Sequence, residues 1–181
     1  MRLLYLFFFK ISGWKIVGDF PDAKKYIVIV APHTCTEDFF IGIAVRSIKK
    51  IHAKFLGKKE LFKPPFGFII RWFGGYPVDR SKHSNLVDAV VELFDKHDQF
   101  IIGIAPEGTR KYVKEWKTGF YYMALKAKVP VVMAAFHFPE KTVYLEKTFY
   151  PSGNFEEDKK ILEAFFKNKQ GKFPKKWPEN F

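Results

Sequence analysis

One cysteine, Cys35, stands in 181 residues, which excludes an intrachain disulfide and any cysteine-rich metal site. His52, His83, His97 and His137 share no metal-ligand spacing, so no metal is expected. Acidic residues are scarce: 19 Asp and Glu against 31 Lys and Arg leave a formal net charge of +12. That excess favours an anionic partner, whether nucleic acid, an anionic membrane or a phosphorylated small molecule. No apolar run approaches the ~20 residues that span a bilayer. The run of seven from Leu3 to Phe9 is followed by no small-x-small cleavage site, so neither a transmembrane span nor a cleaved signal peptide is expected. No G-x-S-x-G elbow occurs, which disfavours a serine hydrolase. No internal repeat, low-complexity linker or recognised nucleic-acid-binding motif is present, and nucleic acid is not expected as a partner.

What is abundant is aromatic residues. Twenty-two Phe and four Trp, several beside lysines, are too many for a disordered basic protein. They suit a membrane interface, where rings insert and Lys or Arg meets head groups. Residues 1–20 are expected to form an interfacial anchor segment, with a first helix or strand packed on the core as the alternative. The basic tail, residues 170–181, lies on a membrane or is solvated. The expected location is the cytoplasmic face of the cell membrane, peripheral or monotopic. At this length a single domain, residues 1–181, can bury its own core.

Strand and helix patterns alternate. Residues 26–30 form a continuous apolar run, as in a strand buried on both faces. Thr34 is expected to cap the next helix, with Glu37 at capping-box spacing and residues 39–45 as its body. Residues 53–56 are a weaker strand, and residues 63–67 a turn before the aromatic segment 68–73. Residues 85–96 carry Leu86, Val87, Val90, Leu93 and Phe94 at helical intervals, with Ser84 as cap. A strand at 100–105, a helix at 118–128 and a strand at 129–138 follow. Residues 142–146 read as an antiparallel partner at a sheet edge. Asn154 caps a last helix, 155–169, whose acids precede its lysines. The fold class is therefore α/β, a single-domain sandwich with a mixed, mostly parallel sheet flanked by helices.

Two runs carry chemistry. His33-Thr34-Cys35-Thr36-Glu37-Asp38 follows the first buried strand. A histidine on the incoming loop can turn its imidazole towards a carboxylate in the helix's first turn. Asp38 then holds Nδ1–H and leaves Nε2 to accept a proton. Alone, this spacing is also met by a capping aspartate beside an incidental histidine. Pro106-Glu107-Gly108-Thr109-Arg110 ends the strand at 100–105, where open α/β sheets bind ligands. Arg110 offers a planar fork for phosphate, Thr109 a hydroxyl and Gly108 close backbone approach. Glu107 holds the arginine or a substrate hydroxyl. Asp79 and Arg80, after Gly74-Gly75, pair with each other or join Arg110 in an anion pocket. Lys117 is a further candidate for phosphate. Cys35 invites a thiol-nucleophile reading but fits better as a small packing residue. Phe66, Phe68, Trp72 and Phe73 line an acyl groove, insert in an interface, or pack in the core.

At these residues the chain resembles the glycerolipid acyltransferases, whose type member is 1-acylglycerol-3-phosphate O-acyltransferase. The resemblance covers residues 26–135 and rests on four blocks in order: His33 to Asp38; Lys59-Glu60-Leu61 with Pro65-Phe66-Gly67, ending at Asp79-Arg80; Pro106 to Arg110; and Val129-Pro130-Val131-Val132. Met133 and Cys35-Thr36-Glu37 depart from the usual pattern, and the N-terminal extension is short. The resemblance implies that His33 is general base and Asp38 its orienter, and that Arg80, Glu107, Gly108, Thr109 and Arg110 bind the acceptor. It implies an acyl thioester on coenzyme A or acyl carrier protein as donor and a lysophospholipid as acceptor, with no cofactor, metal or covalent acyl-enzyme. The function expected is acyl transfer to 1-acylglycerol-3-phosphate in phospholipid biosynthesis. Transfer to another lysolipid, such as a lyso-aminolipid, and a non-catalytic basic membrane-binding module are the alternatives.

Overall fold

The computed structural model describes residues 2–78 and 86–174. The strands that read as continuous apolar runs form the centre of one seven-stranded sheet. These are β2 (Lys25–Ala31), β5 (Phe100–Ile104) and β6 (Val131–His137). Around them lie β1 (Lys15–Gly18), β3 (Ala53–Lys58), β4 (Gly75–Val78) and β7 (Thr142–Phe149), in the order β1-β7-β6-β2-β5-β3-β4. Every neighbouring pair is parallel except β6 with β7.

The two-residue period of β2 sorts its side chains between two cores. Ile27 and Ile29 meet Val90 and Phe94 of α4 (Leu86–Lys96), Tyr121 of α5 (Gly119–Ala127), and Leu162 and Phe166 of α6 (Phe155–Phe166). Tyr26 and Val28 face the other way, onto Ile41, Ala44 and Val45 of α2 (Glu37–Ile48) and Phe9 of α1 (Arg2–Ser12). Helices thus cover both faces, and each fully buried Ile or Phe contributes about 1.5–3 kcal/mol. A 3-10 turn (Lys59–Phe62) and the short α3 (Gly67–Trp72) complete the described elements.

Several expectations are corrected. Helix α2 begins at Glu37 with Thr36, not Thr34, at its N-cap, and no side-chain cap bond forms there. Thr34 is instead buried in the loop. Strand β7 is not at an edge, because β1 pairs in parallel along its far side. Residues 15–18 and 75–78 are strands, where the sequence shows only a lysine after Trp14 and a Gly-Gly turn. The last helix stops at Phe166, three residues short of the expected end. Its Asn154 cap does form, accepting the Glu157 N–H at 3.4 Å. The proposed cap Ser84 lies outside the described residues.

Candidate active site

Because β2 and β5 are parallel neighbours, the loops leaving their C-terminal ends emerge side by side. One carries His33 to Asp38 and the other Pro106 to Arg110. Asp38, in the first turn of α2, is 2% exposed. Its Oδ2 accepts the backbone N–H groups of Thr34 and Cys35 at 2.7 and 2.9 Å. The Cys35 thiol donates to Oδ1 at 3.1 Å. His33 precedes the helix, so the angular separation of residues five apart within a helix does not apply, and its Nδ1 lies 3.2 Å from Asp38 Oδ2. Burial alone would raise the Asp38 pKa, but the His33 imidazole and the Cys35 and Thr34 donors outweigh it and hold the group below its usual value. Asp38 is therefore an anion at neutral pH, facing an imidazole.

Glu107 is 3% exposed and reaches neither Arg110 nor either cavity described below. Its Oε1 accepts the His33 backbone N–H at 2.7 Å. Its Oε2 has no hydrogen-bond partner among the described residues. Burial pushes its pKa up to about 7, against smaller opposing effects of the backbone donors. Gly108 sits at φ 65°, in the left-handed region, with the Lys117 side chain 3.1 Å from where a Cβ would stand. The backbone conformation calls for glycine, while the flexible end of Lys117 could give way to a Cβ. Thr109 Oγ1 accepts the Lys111 N–H at 3.2 Å, closing the turn. Arg110 turns back across the gap between the loops and donates from Nη1 to Thr36 Oγ1. Arg80 and Asp79 lie outside the described residues.

Beneath α2 an apolar cavity of about 490 Å³ runs from His33, Asp38 and Arg110 inward to Val28, Phe136 and Leu145. Such a volume suits a small-molecule or chain-like ligand. Gly42 on α2 opens its wall: a Cβ there would come no closer than 3.8 Å to Phe136. Arg46, also on the wall, is half-buried and donates to the carbonyls of Ala53 and Phe73 at 3.1 and 2.9 Å. It fixes α2 to β3 and to the end of α3. Neither residue stands out in the sequence, because each takes its role from a contact that no local pattern records. Phe73 lines this cavity, whereas Phe66, Phe68 and Trp72 are 65–69% exposed and belong neither to it nor to the core.

Cys35 is buried, and burial first, then its bond to Asp38, pushes its thiol up to about 12. That is the opposite of nucleophile activation. On α1, Leu3, Leu4, Phe7, Phe8 and Ile11 are exposed. No described helix is long and apolar enough to cross a membrane.

A family model described as Acyltransferase matches residues 15–137. The 1-acyl-sn-glycerol-3-phosphate acyltransferase of Saccharomyces cerevisiae is 31% identical over 126 residues, which are 65% of this chain and 41% of that protein. The enzyme of the same name from Streptococcus pneumoniae is 30% identical over 122 residues, 66% of this chain and 44% of that one. The chain thus spans about two fifths of the length of these relatives. The crystal structure of the 1-acyl-sn-glycerophosphate acyltransferase PlsC from Thermotoga maritima matches with a TM-score of 0.59 at 22% identity, covering 91% of this chain and 74% of that one. That likeness is one of fold. By the extent of the family match, which takes in both loops of the site, this chain belongs to the acyltransferase family.

Proposed function

We propose that this chain moves a fatty acyl group from a thioester donor, acyl-coenzyme A or acyl carrier protein, to the hydroxyl of a lysophospholipid, with 1-acylglycerol-3-phosphate as the first candidate. The observation that carries the reading is the His33–Asp38 pair, 3.2 Å apart, beside Arg110 at the head of an apolar cavity. A base, an anion partner and room for an acyl chain meet at one place. The relatives' names support a glycerolipid acceptor.

In this reading Asp38 holds the imidazole by Nδ1–H, and Nε2 takes the proton of the acceptor hydroxyl as its oxygen attacks the thioester carbonyl. The tetrahedral intermediate collapses, the C–S bond breaks, and the imidazolium returns its proton to the departing thiolate. The Asp38 anion stabilises the imidazolium between these steps. Arg110 binds the acceptor phosphate through its fork, and the cavity beneath α2 takes the apolar chain. The exposed rings of α1 and α3, with the surrounding lysines, rest on an anionic membrane that delivers the lipid.

A mass-spectrometric screen of labelled acyl thioesters against a panel of lysolipids tests this directly. The expected result is a labelled diacyl phospholipid whose formation needs a phosphorylated acceptor. Absence of acyl transfer to every lysolipid, with liposome binding retained, would establish the non-catalytic module instead.

A further inference from the structure

After α6 the chain does not leave the site. It turns across the end of β6, where Gln170 accepts the Phe138 N–H at 2.9 Å and donates its own to His137 Nδ1 at 3.0 Å. Gly171 then presses on the histidine loop: a Cβ there would stand 2.6 Å from Thr34 Cγ2 and 3.2 Å from Pro32 Cβ. The next two residues stay on the same loop. The Phe173 N–H points to Thr34 Oγ1 at 3.4 Å, and Lys172 Nζ lies 2.5 Å from Glu37 Oε1.

This strap borders an open second cavity of about 460 Å³, lined by Thr36, Glu37, Phe40, Arg110, Lys172 and Phe173 among others. Arg110 lines both this cavity and the apolar one beneath α2. The two spaces therefore meet at the residue assigned to the acceptor phosphate. In the second cavity two cations face one carboxylate, and Glu37 pairs with the Lys172 ammonium while Arg110 donates to Thr36. Phe40 and Phe173 supply apolar walls beside these charges, as an amphipathic ligand requires.

We propose that Lys172 is a second acceptor-binding residue, which together with Arg110 takes the phosphate monoester of the acceptor in the cavity at the start of α2. The inference rests on the acyltransferase reading above and adds to it a site half built by the C-terminal strap. A phosphate monoester offers enough oxygens for both cations at once. Arg110 grips as a planar fork and Lys172 as a point charge. An acceptor without phosphate offers neither cation an anionic oxygen and leaves them with Glu37 and Thr36, so Lys172 is a determinant of specificity as well as affinity.

The test is steady-state acyl transfer by the full chain and its K172Q and K172R variants, with 1-acylglycerol-3-phosphate and unphosphorylated 1-acylglycerol as paired acceptors. K172Q is expected to raise KM for the phosphorylated acceptor roughly tenfold, the usual loss for a charged hydrogen bond. Its kcat and donor KM are expected to stay within about twofold, with K172R recovering most of the loss. An unchanged acceptor KM, or a fall in kcat alone, overturns the proposal and leaves Lys172 as a strap that only positions the loop. Failure of the underlying reading has a different signature: the wild-type chain would then transfer no acyl group to either acceptor.

Discussion

The buried carboxylate of Glu107 holds the backbone N–H of His33 at 2.7 Å, joining the loops after β5 and β2 across 74 residues of sequence. The bond explains why a glutamate stands at a position that lines neither cavity. It clamps the histidine's main chain while Asp38 orients its ring, so the imidazole is fixed from two directions.

This clamp has a pH signature. The Glu107 pKa rises from an ordinary 4.5 to about 7 because the charged form is desolvated. Between those values the folded protein holds a proton that the unfolded chain has released. The stabilisation linked to that proton is full below the unfolded pKa and is lost as pH rises through the folded one. A shift of this size corresponds to about 3 kcal/mol in order of magnitude. Glu107→Gln keeps an oxygen for the His33 N–H but cannot ionise. Melting curves at pH 5 and pH 8 are expected to show the wild type losing several degrees more than the variant. Parallel losses would remove Glu107 as their source.

The wall of the apolar cavity gives a second prediction. Gly42→Leu extends a side chain into the cavity beneath α2, where its Cβ would sit in ordinary van der Waals contact with the Phe136 ring at 3.8 Å. Leucine is also the better helix former at a mid-helix position, so the fold is expected to survive. The acyl donor preference should move towards shorter chains by about tenfold or more in kcat/KM, given ~0.8 kcal/mol for each methylene displaced. Competition between long- and medium-chain thioesters measures it, and an unaltered preference would place the chain elsewhere.

Cys35 lies beside the histidine yet is buried and driven up to about 12. Its thiolate fraction at pH 8 is on the order of 10⁻⁴. Cys35→Ala is expected to keep turnover within about tenfold, the cost of losing one donor to Asp38. Iodoacetamide at pH 8 is expected to leave the wild type active. A stoichiometric acyl thioester on Cys35, trapped after incubation with the acyl donor and detected by mass spectrometry, would mean a covalent acyl-enzyme.

Much of this architecture is legible in the residues, and its gaps have physical causes. Strands β2, β5 and β6 are buried on both faces and so read as continuous apolar runs, while Val87, Val90 and Phe94 mark α4 by their period. Strands β1 and β4 are four residues each, too short to show any period, and Pro77 and Gly75 argue locally against a strand. Which of Thr34 and Thr36 begins α2 is decided by tertiary bonds: the Thr34 backbone is drawn to Asp38 and the Thr36 hydroxyl to Arg110. The identities of His33, Asp38 and Arg110 stand in the sequence as motifs. The partners that hold them do not, because Glu107 to His33 and Lys172 to Glu37 are contacts between segments far apart in the chain.

The central claim is that His33 is the base of an acyl transfer. His33→Ala retains the backbone N–H that Glu107 accepts, so the loop keeps its anchor and the variant is expected to melt within a few degrees of the wild type. Rates of labelled diacyl product formation for the two proteins, at saturating thioester and 1-acylglycerol-3-phosphate, make the decisive comparison. A loss of at least ~10²-fold is the result predicted for removal of a general base; turnover at the wild-type rate by a correctly folded His33→Ala chain would contradict it.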